Sequence, residues 1–388
     1  MSEYLPPEII TQILSRLPVK SAVKCTAVCK AWYALIKHPS FVSTHLQQAA
    51  ALQDDDLLLV CIRYDDLRYV YHLHRGNDAF GEYKRVTLPP NPFEDYRIVG
   101  TCNGLICLTD YDRTSRYTTL WNPSIRKHFV LPDFPLAYGF PLYHMIGLGF
   151  DSVSDDYKLL LIVPSGDTRD LYDVWLFSLN KCSWTRLTQI SPSDWFCGAG
   201  KVVFVKGALH FRMHPHMILA LDLSTEKFFE INIPHGLVHL VCQTTDLVKY
   251  EESIALVIRG SRYDEIRLWV MKEYGVDNSW AKVLDSFDKN GEPVSDKQLS
   301  AVFVVRKKGK AVLEVSVDDG REWGDGEVAM LDLNGHLEEH QKQHQHQLKY
   351  LGGPKNVLFY LVDNYVESLV LLDKGEEDVV VAGSSLNE

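Results

Sequence analysis

"NGLICLTDYDRTSRYTTLWNPSIRKHFVLP" runs from Asn103 to Pro132. Short apolar runs alternate in it with the turn residues Asn-Gly and Asn-Pro-Ser. Such runs, rich in Leu, Val, Tyr and Trp, read as strands folded into antiparallel hairpins. The unit recurs without close identity as "YKLLLIV…YDVWLFSLNKCSWTRL", "ALHFRM…MILALDLSTEKFFEINIP", "SIALVIRG…IRLWVMKEYGVDNSWAKV" and "AVLEVSV…EVAMLDLNGHLEEH". An earlier copy starts at "LLLVCIR…YVYHLHR" and ends near "RVTLP". With His74, Asn122, Ser178, Asp222, Lys272 and Asp332 taken as equivalent turn positions, the period is roughly 50 residues, the length class of a four-stranded propeller blade.

The period predicts a β-propeller of about six blades over residues 57–375, with a tail at 376–388. The last apolar runs, "NVLFYL" and "ESLVLLD", are expected to pair with the strands just after residue 57, so that no long sheet edge stays open. A two-sheet sandwich is the alternative, and the number of hairpins is large for one.

The N-terminus follows another rhythm. In "LPPEIITQILSRLPVKSAVKCTAVCKAWYALI", Leu5 to Ile36, Pro6 and Pro7 suit a helix start, and Ile9, Ile10, Ile13, Leu14 and Leu17 follow at helical spacing. Pro18 ends that helix. A second run carries Ala22, Val23, Val28, Cys29, Trp32, Leu35 and Ile36 until Pro39 stops it, and "SFVSTHLQQAAAL" adds a short third segment. The expected organisation is a small all-α domain at 1–50, an acidic linker at 51–56 holding Asp54, Asp55 and Asp56, and then the mainly-β domain. Two helices and a stub expose more apolar surface than they can cover alone. They either dock on the propeller or form half of an interface with another protein.

The net charge of −11 leaves no basic excess to displace the counterions of a nucleic acid. No apolar run reaches the roughly 18 residues that a bilayer crossing needs, and the N-terminus lacks the pattern of a signal peptide. Neither nucleic acid nor membrane is expected as a partner. Eight scattered cysteines form no C-x-x-C pair, and most sit in apolar runs, where a thiol packs as a small hydrophobe. A reducing compartment, cytosol or nucleus, is expected.

No G-x-S-x-G, H-E-x-x-H or phosphate loop is present, so no catalytic residue, metal or cofactor is expected. "GLGFDS" at Gly147 carries two of the three glycines of a dinucleotide fingerprint, but lies between strands. His336, His340, His344 and His346 sit in a Gln-rich polar stretch that reads as solvated surface. Cys25 and Cys29 read as helix packing.

The N-terminal segment resembles an F-box. The resemblance rests on Leu5-Pro6 followed by Glu8, the Leu17-Pro18 break and "VCKAWY" from Val28 to Tyr33. It implies binding to the Skp-family adaptor of an SCF ubiquitin ligase, and through it to a cullin. The adaptor-facing set would be Leu5, Pro6, Ile9, Ile13, Leu17, Pro18, Val28, Cys29 and Trp32. The remainder resembles the kelch-like F-box-associated domain of plant F-box proteins through "GTCNGLICL", "LWNPSIRK" and "GLGFDSVSDDYKLLLI". Strict kelch repeats carry adjacent glycines in each blade; here only Gly352-Gly353 does. The function implied is a non-catalytic substrate receptor.

In a blade with strands A to D from the centre outward, the B–C loops gather on one face. They would present Arg113, Arg116, Tyr117, Arg169, Tyr172, His214, Arg262, Tyr263, Arg321 and Trp323 to an unknown protein substrate, as arginine and aromatic side chains dominate interface hot spots. The D–A connections add Tyr138, Phe140, Tyr143, Trp195 and Phe196. The arginines, with Arg212 and Arg259 beside them, suit an acidic or phosphorylated target segment. A propeller lectin or small-ligand receptor is the alternative, with the aromatic loops stacking on a sugar ring. The opposite face is made of plain turns.

Overall fold

The structure, a computed structural model, describes residues 5–52, 57–64, 69–76, 82–89, 96–110, 117–134, 145–165, 171–191, 201–214, 216–238, 245–260, 265–286, 298–306, 309–316, 326–333, 349–352 and 357–372. Four helices come first: α1 (Pro7–Leu14), α2 (Val19–Cys25), α3 (Lys30–Lys37) and α4 (Pro39–Leu52). Proline heads α1 and α4, where its missing N–H leaves no bond unmade.

Two helix expectations change here. The run from Ala22 to Ile36 is not one helix; it breaks after Cys25, and Cys29 caps α3 by accepting the Trp32 N–H on its sulfur at 3.5 Å. Pro39 does not end the helical region but opens α4, which at 14 residues is the longest of the four.

Strands fill the remainder. The first blade takes β1 (Leu57–Tyr64), β2 (Tyr69–Arg75) and β3 (Glu82–Val86). The second is β4 (Tyr96–Cys102), β5 (Leu105–Asp110), β6 (Thr118–Asn122) and β7 (Lys127–Val130). The third is β8 (Met145–Asp151), β9 (Asp156–Pro164), β10 (Tyr172–Ser178) and β11 (Ser183–Ile190). The fourth is β12 (Val203–Val205), β13 (Ala208–Phe211), β14 (Met217–Asp222) and β15 (Lys227–Asn232). Next come β16 (Thr245–Tyr250), β17 (Ser253–Arg259), β18 (Ile266–Met271) and β19 (Trp280–Asp285). The last meander is β20 (Gln298–Arg306), β21 (Lys310–Ser316), β22 (Gly326–Asp332) and β23 (Lys349–Gly352). Finally, β24 (Val357–Tyr365) returns to pair antiparallel with β1 and completes the first blade from the inside.

Hydrogen bonding gives four separate four-stranded sheets and one of eight strands. In the eight-stranded sheet, two antiparallel meanders are joined by a single parallel bridge from Tyr250 to Val305. Counted by meander, the wheel therefore has six blades. Its innermost strands β24, β4, β8, β12, β16 and β20 neighbour one another in that order and return to the start. The ring is closed.

The turn chemistry explains the repeated sequence positions. Asn103-Gly104 and Lys206-Gly207 place two successive residues at positive φ, as tight hairpin turns require. In the outer turns, Arg126, Cys182 and Glu226 take positive φ, each four residues after Asn122, Ser178 and Asp222. Those three side chains accept backbone N–H groups of their own turns, from Ser124, Lys181 and Thr225 at 2.9, 3.1 and 2.7 Å. The glycines of "GLGFDS" serve packing between blades, not a nucleotide. A Cβ on Gly147 would lie 2.3 Å from Val202, and one on Gly149 would lie 2.6 Å from Leu223.

"ESLVLLD" departs from expectation. Only β24 pairs with β1; residues 366–372 form no strand and run as a buried strap. Two physical facts account for it. Asn122 Nδ2 takes the strap's carbonyls, donating to Ser368 O at 3.0 Å and Val370 O at 2.8 Å. Leu371 sits at φ 70°, a left-handed conformation that no regular strand tolerates.

Candidate protein-interaction surfaces

The helical domain has an inner and an outer side. Inside, Leu14, Val19, Ala22, Ile36, Phe41 and Val42 share one hydrophobic core with Leu105, Leu120 and Phe177 of the propeller and with Leu369 to Leu372 of the strap. Outside, Leu5 is 55% exposed, Ile9 39%, Ile13 50%, Val28 62% and Tyr33 49%. Among the described residues only four other large apolar side chains are as open: Tyr83, Val153, Phe229 and Val276, scattered over the propeller. Isolated exposed apolars are ordinary, whereas a cluster marks a binding surface. The docking reading holds for the inner side; the outer side leaves these five side chains in water.

The nine expected adaptor-facing residues divide accordingly. Leu5, Pro6, Ile9, Ile13, Pro18, Val28 and Cys29 are exposed. Leu17 and Trp32 are half-buried and pack against the shared core. Tyr33 joins the exposed set, with Lys37 Nζ donating to its hydroxyl at 2.9 Å; its place in "VCKAWY" was the available signal. The rim is basic. Between residues 5 and 52 the sequence carries Arg16, Lys20, Lys24, Lys30 and Lys37 against the single acid Glu8.

His45 of α4 lies beneath this surface. Its Nε2 donates to the Leu17 carbonyl at 2.8 Å, while Nδ1 is buried without a hydrogen-bond partner. Burial holds its pKa below the ordinary histidine value, although the Leu17 bond pulls the other way.

The helices meet the propeller on its plain-turn face. A cleft of about 310 Å³ lies at the junction. Val42 and Leu46 of α4 line it opposite Asn103, Asp155 and Asn180 of the turns, with Val370 of the strap beside them. By strand order the B–C connections open at the other end of the wheel.

On that far face Tyr117 and Tyr172 are half-buried and pack on their own blades. Burial pushes both phenols up. His214 is half-buried. Arg212 donates to Thr245 O at 2.8 Å, and Arg259 pairs with Asp246 at 3.4 Å, so both are engaged within the molecule. Arg113, Arg116, Arg169, Arg262, Tyr263, Arg321 and Trp323 lie outside the described residues. So do Tyr138, Phe140, Tyr143, Trp195, Phe196, the Asp54–Asp56 linker, the four histidines from His336 to His346 and the tail.

Burial raises the thiols of Cys61 and Cys102 to about 12, and six described cysteines are free. Among the described residues no group of His, Cys, Asp and Glu could hold a metal.

Four helices with apolar side chains exposed on their outer side ride on a closed wheel of six blades. The family described as F-box associated beta propeller domain matches residues 56–318, and the F-box-like family matches residues 2–48. The chain belongs to the plant-type F-box proteins with an F-box-associated β-propeller. Among curated relatives, F-box protein CPR1 of Arabidopsis thaliana is 29% identical over 342 residues, covering 80% of each chain. F-box protein At3g07870 of the same plant is 28% identical over 316 residues, covering 72% of each.

Proposed function

We propose that this F-box protein is the non-catalytic substrate receptor of an SCF-type ubiquitin ligase. The F-box binds a Skp-family adaptor, which carries the cullin, and the propeller binds the protein to be ubiquitinated. One observation carries the reading: the F-box buries one side on the propeller and keeps Leu5, Ile9, Ile13, Val28 and Tyr33 in water. An apolar centre with a polar rim is the anatomy of a specific interface. The basic excess of the helical segment favours a partner surface that carries carboxylates. The target then falls to the B–C face, and its arginine-rich loops favour an acidic or phosphorylated segment. Free thiols suit the reducing conditions of cytosol or nucleus.

The test uses the exposed residues. Ile13→Asp with Val28→Asp should abolish co-purification with the adaptor and leave the thermal midpoint within a few degrees, because surface changes cost about 0.5 kcal/mol or less. Undiminished capture by that double variant would remove the assignment. Leu17→Ala with Trp32→Ala is a poorer test, since both side chains also support the F-box core.

A further inference from the structure

No F-box helix runs closely along a strand of the propeller. The two parts meet through turns and through the strap, residues 366–372, which follows the closing strand β24. Ser368, Leu369, Val370, Leu371 and Leu372 of the strap are all buried. Their apolar side chains enter the same core as α1, α2, α3 and α4 on one side and blades two and three on the other.

The polar contacts are as specific. Asn122 Nδ2 reaches Ser368 O at 3.0 Å, Ser368 Oγ at 3.2 Å and Val370 O at 2.8 Å, and Asn122 is fully buried. Lys127 Nζ donates to Leu372 O at 3.4 Å, and the Ser124 and Tyr365 hydroxyls lie 2.8 Å apart. Gly104 leaves room for the chain to pass: a Cβ there would lie 2.4 Å from Ser368 Oγ and 2.5 Å from Val366 O. Leu371 holds a left-handed backbone, a state that a side-chain-bearing residue keeps only where its surroundings enforce it. A loosely held segment would relax out of that conformation. This one is seated.

We propose that the strap is an intramolecular clamp that fixes the F-box on the turn face of the wheel, with Asn122 as its latch. The segment is thus a positioning element. It sets the direction in which the adaptor departs relative to the B–C face, and so the spacing between adaptor and target. The clamp is a property of the chain alone and holds whichever partner the F-box takes.

Asn122 has two duties that one substitution separates. Its Oδ1 accepts the Ser124 N–H at 2.9 Å and shapes the outer turn, whereas its Nδ2 serves only the strap. Asn122→Asp keeps the turn acceptor and turns the latch into a repulsion against two carbonyls. Hydrogen exchange measured along the full-length chain should then rise about tenfold or more in α4 and in the Asn103-Gly104 turn, with the fourth and fifth blades unchanged. Leu369→Ala with Leu371→Ala should loosen the same two regions by removing the apolar seat instead of the latch. Exchange unchanged in α4 in both variants would overturn the clamp. So would a uniform rise over all blades, which would make Asn122 a general fold residue. Adaptor capture at the wild-type level in both variants, beside that local loosening, would show positioning separated from binding; capture lost in proportion to the loosening would overturn the separation.

Discussion

Lys158 ties the third blade to the fourth. It is buried, and its ammonium donates to Leu223 O at 2.6 Å, to Glu226 at 3.0 Å and to Asp151 at 3.1 Å. Asp151 also accepts from Ser154 Oγ and Ser224 Oγ, both at 2.6 Å, and from Val153 N–H at 3.0 Å. Burial alone would raise this carboxyl, but the donors prevail and hold it far below the usual range. Lys158→Met should cost about 3–5 kcal/mol, because the carboxylate is left buried and uncompensated. Adding Asp151→Leu to that variant should recover part of the loss, read as a thermal midpoint. A carboxyl with a depressed folded pKa gives stability that is complete above about pH 4 and lost as pH falls through the folded value. The midpoint gap between the wild type and Asp151→Asn should therefore close on acidification below pH 4. "GLGFDSVSDDYKLLLI" showed two strands and a turn in the sequence. It could not show that Lys158 crosses to another blade, because Glu226 lies 68 positions away.

Within α4, His45 joins the F-box helices by donating to Leu17. Its folded pKa is lowered by burial, so the neutral ring is the folded form. Its stabilisation is complete above the ordinary value of about 6.5 and declines as pH falls below it. The thermal midpoint of the wild type should fall from pH 7.5 to 5.5 more steeply than that of His45→Gln, which keeps a donor without titrating. Equal slopes would place the acid-sensitive group elsewhere. The sequence made the turns legible because Asn-Gly and Lys-Gly have few other conformations to occupy. It misled at Pro39, since proline both ends helices and begins them. It misled again at Ser368 to Leu372, whose short apolar run reads as a strand. The distant side chains of Asn122 and Lys127 take up carbonyls that a neighbouring strand would have used.

At the scale of the whole molecule the helices sit at the plain-turn end of the wheel, and the target face proposed above is the opposite end. The exposed F-box apolars were legible because their motif is contiguous. Beside the expected target face, sequence alone could not show that Arg212 and Arg259 are engaged by Thr245 and Asp246, because those partners lie 33 and 13 positions away. Changing Arg116, Arg169 and Arg262 together to glutamate should weaken target capture and spare adaptor capture; unchanged target capture would move the site off this face. The inner ring of strands contains no F-box residue, so residues 57–388 alone should keep their β signal and melt cooperatively. Exposing Leu105 and the strap should lower the midpoint by roughly 5–10 °C. A molten product would mean that the shared core, and not the ring, holds the wheel together.

The return of β24 to β1 has a consequence in time. Leu57 leaves the ribosome 300 residues before Val357, an interval of about 15–60 s at ordinary synthesis rates of roughly 5–20 residues per second. Throughout it the first blade lacks its inner strand and the F-box lacks its strap. The helices are nonetheless complete by Leu52, so their outer side emerges long before the wheel can close. On the proposed function, an adaptor that met the nascent chain would find its surface ready while the end proposed for the target was still being made.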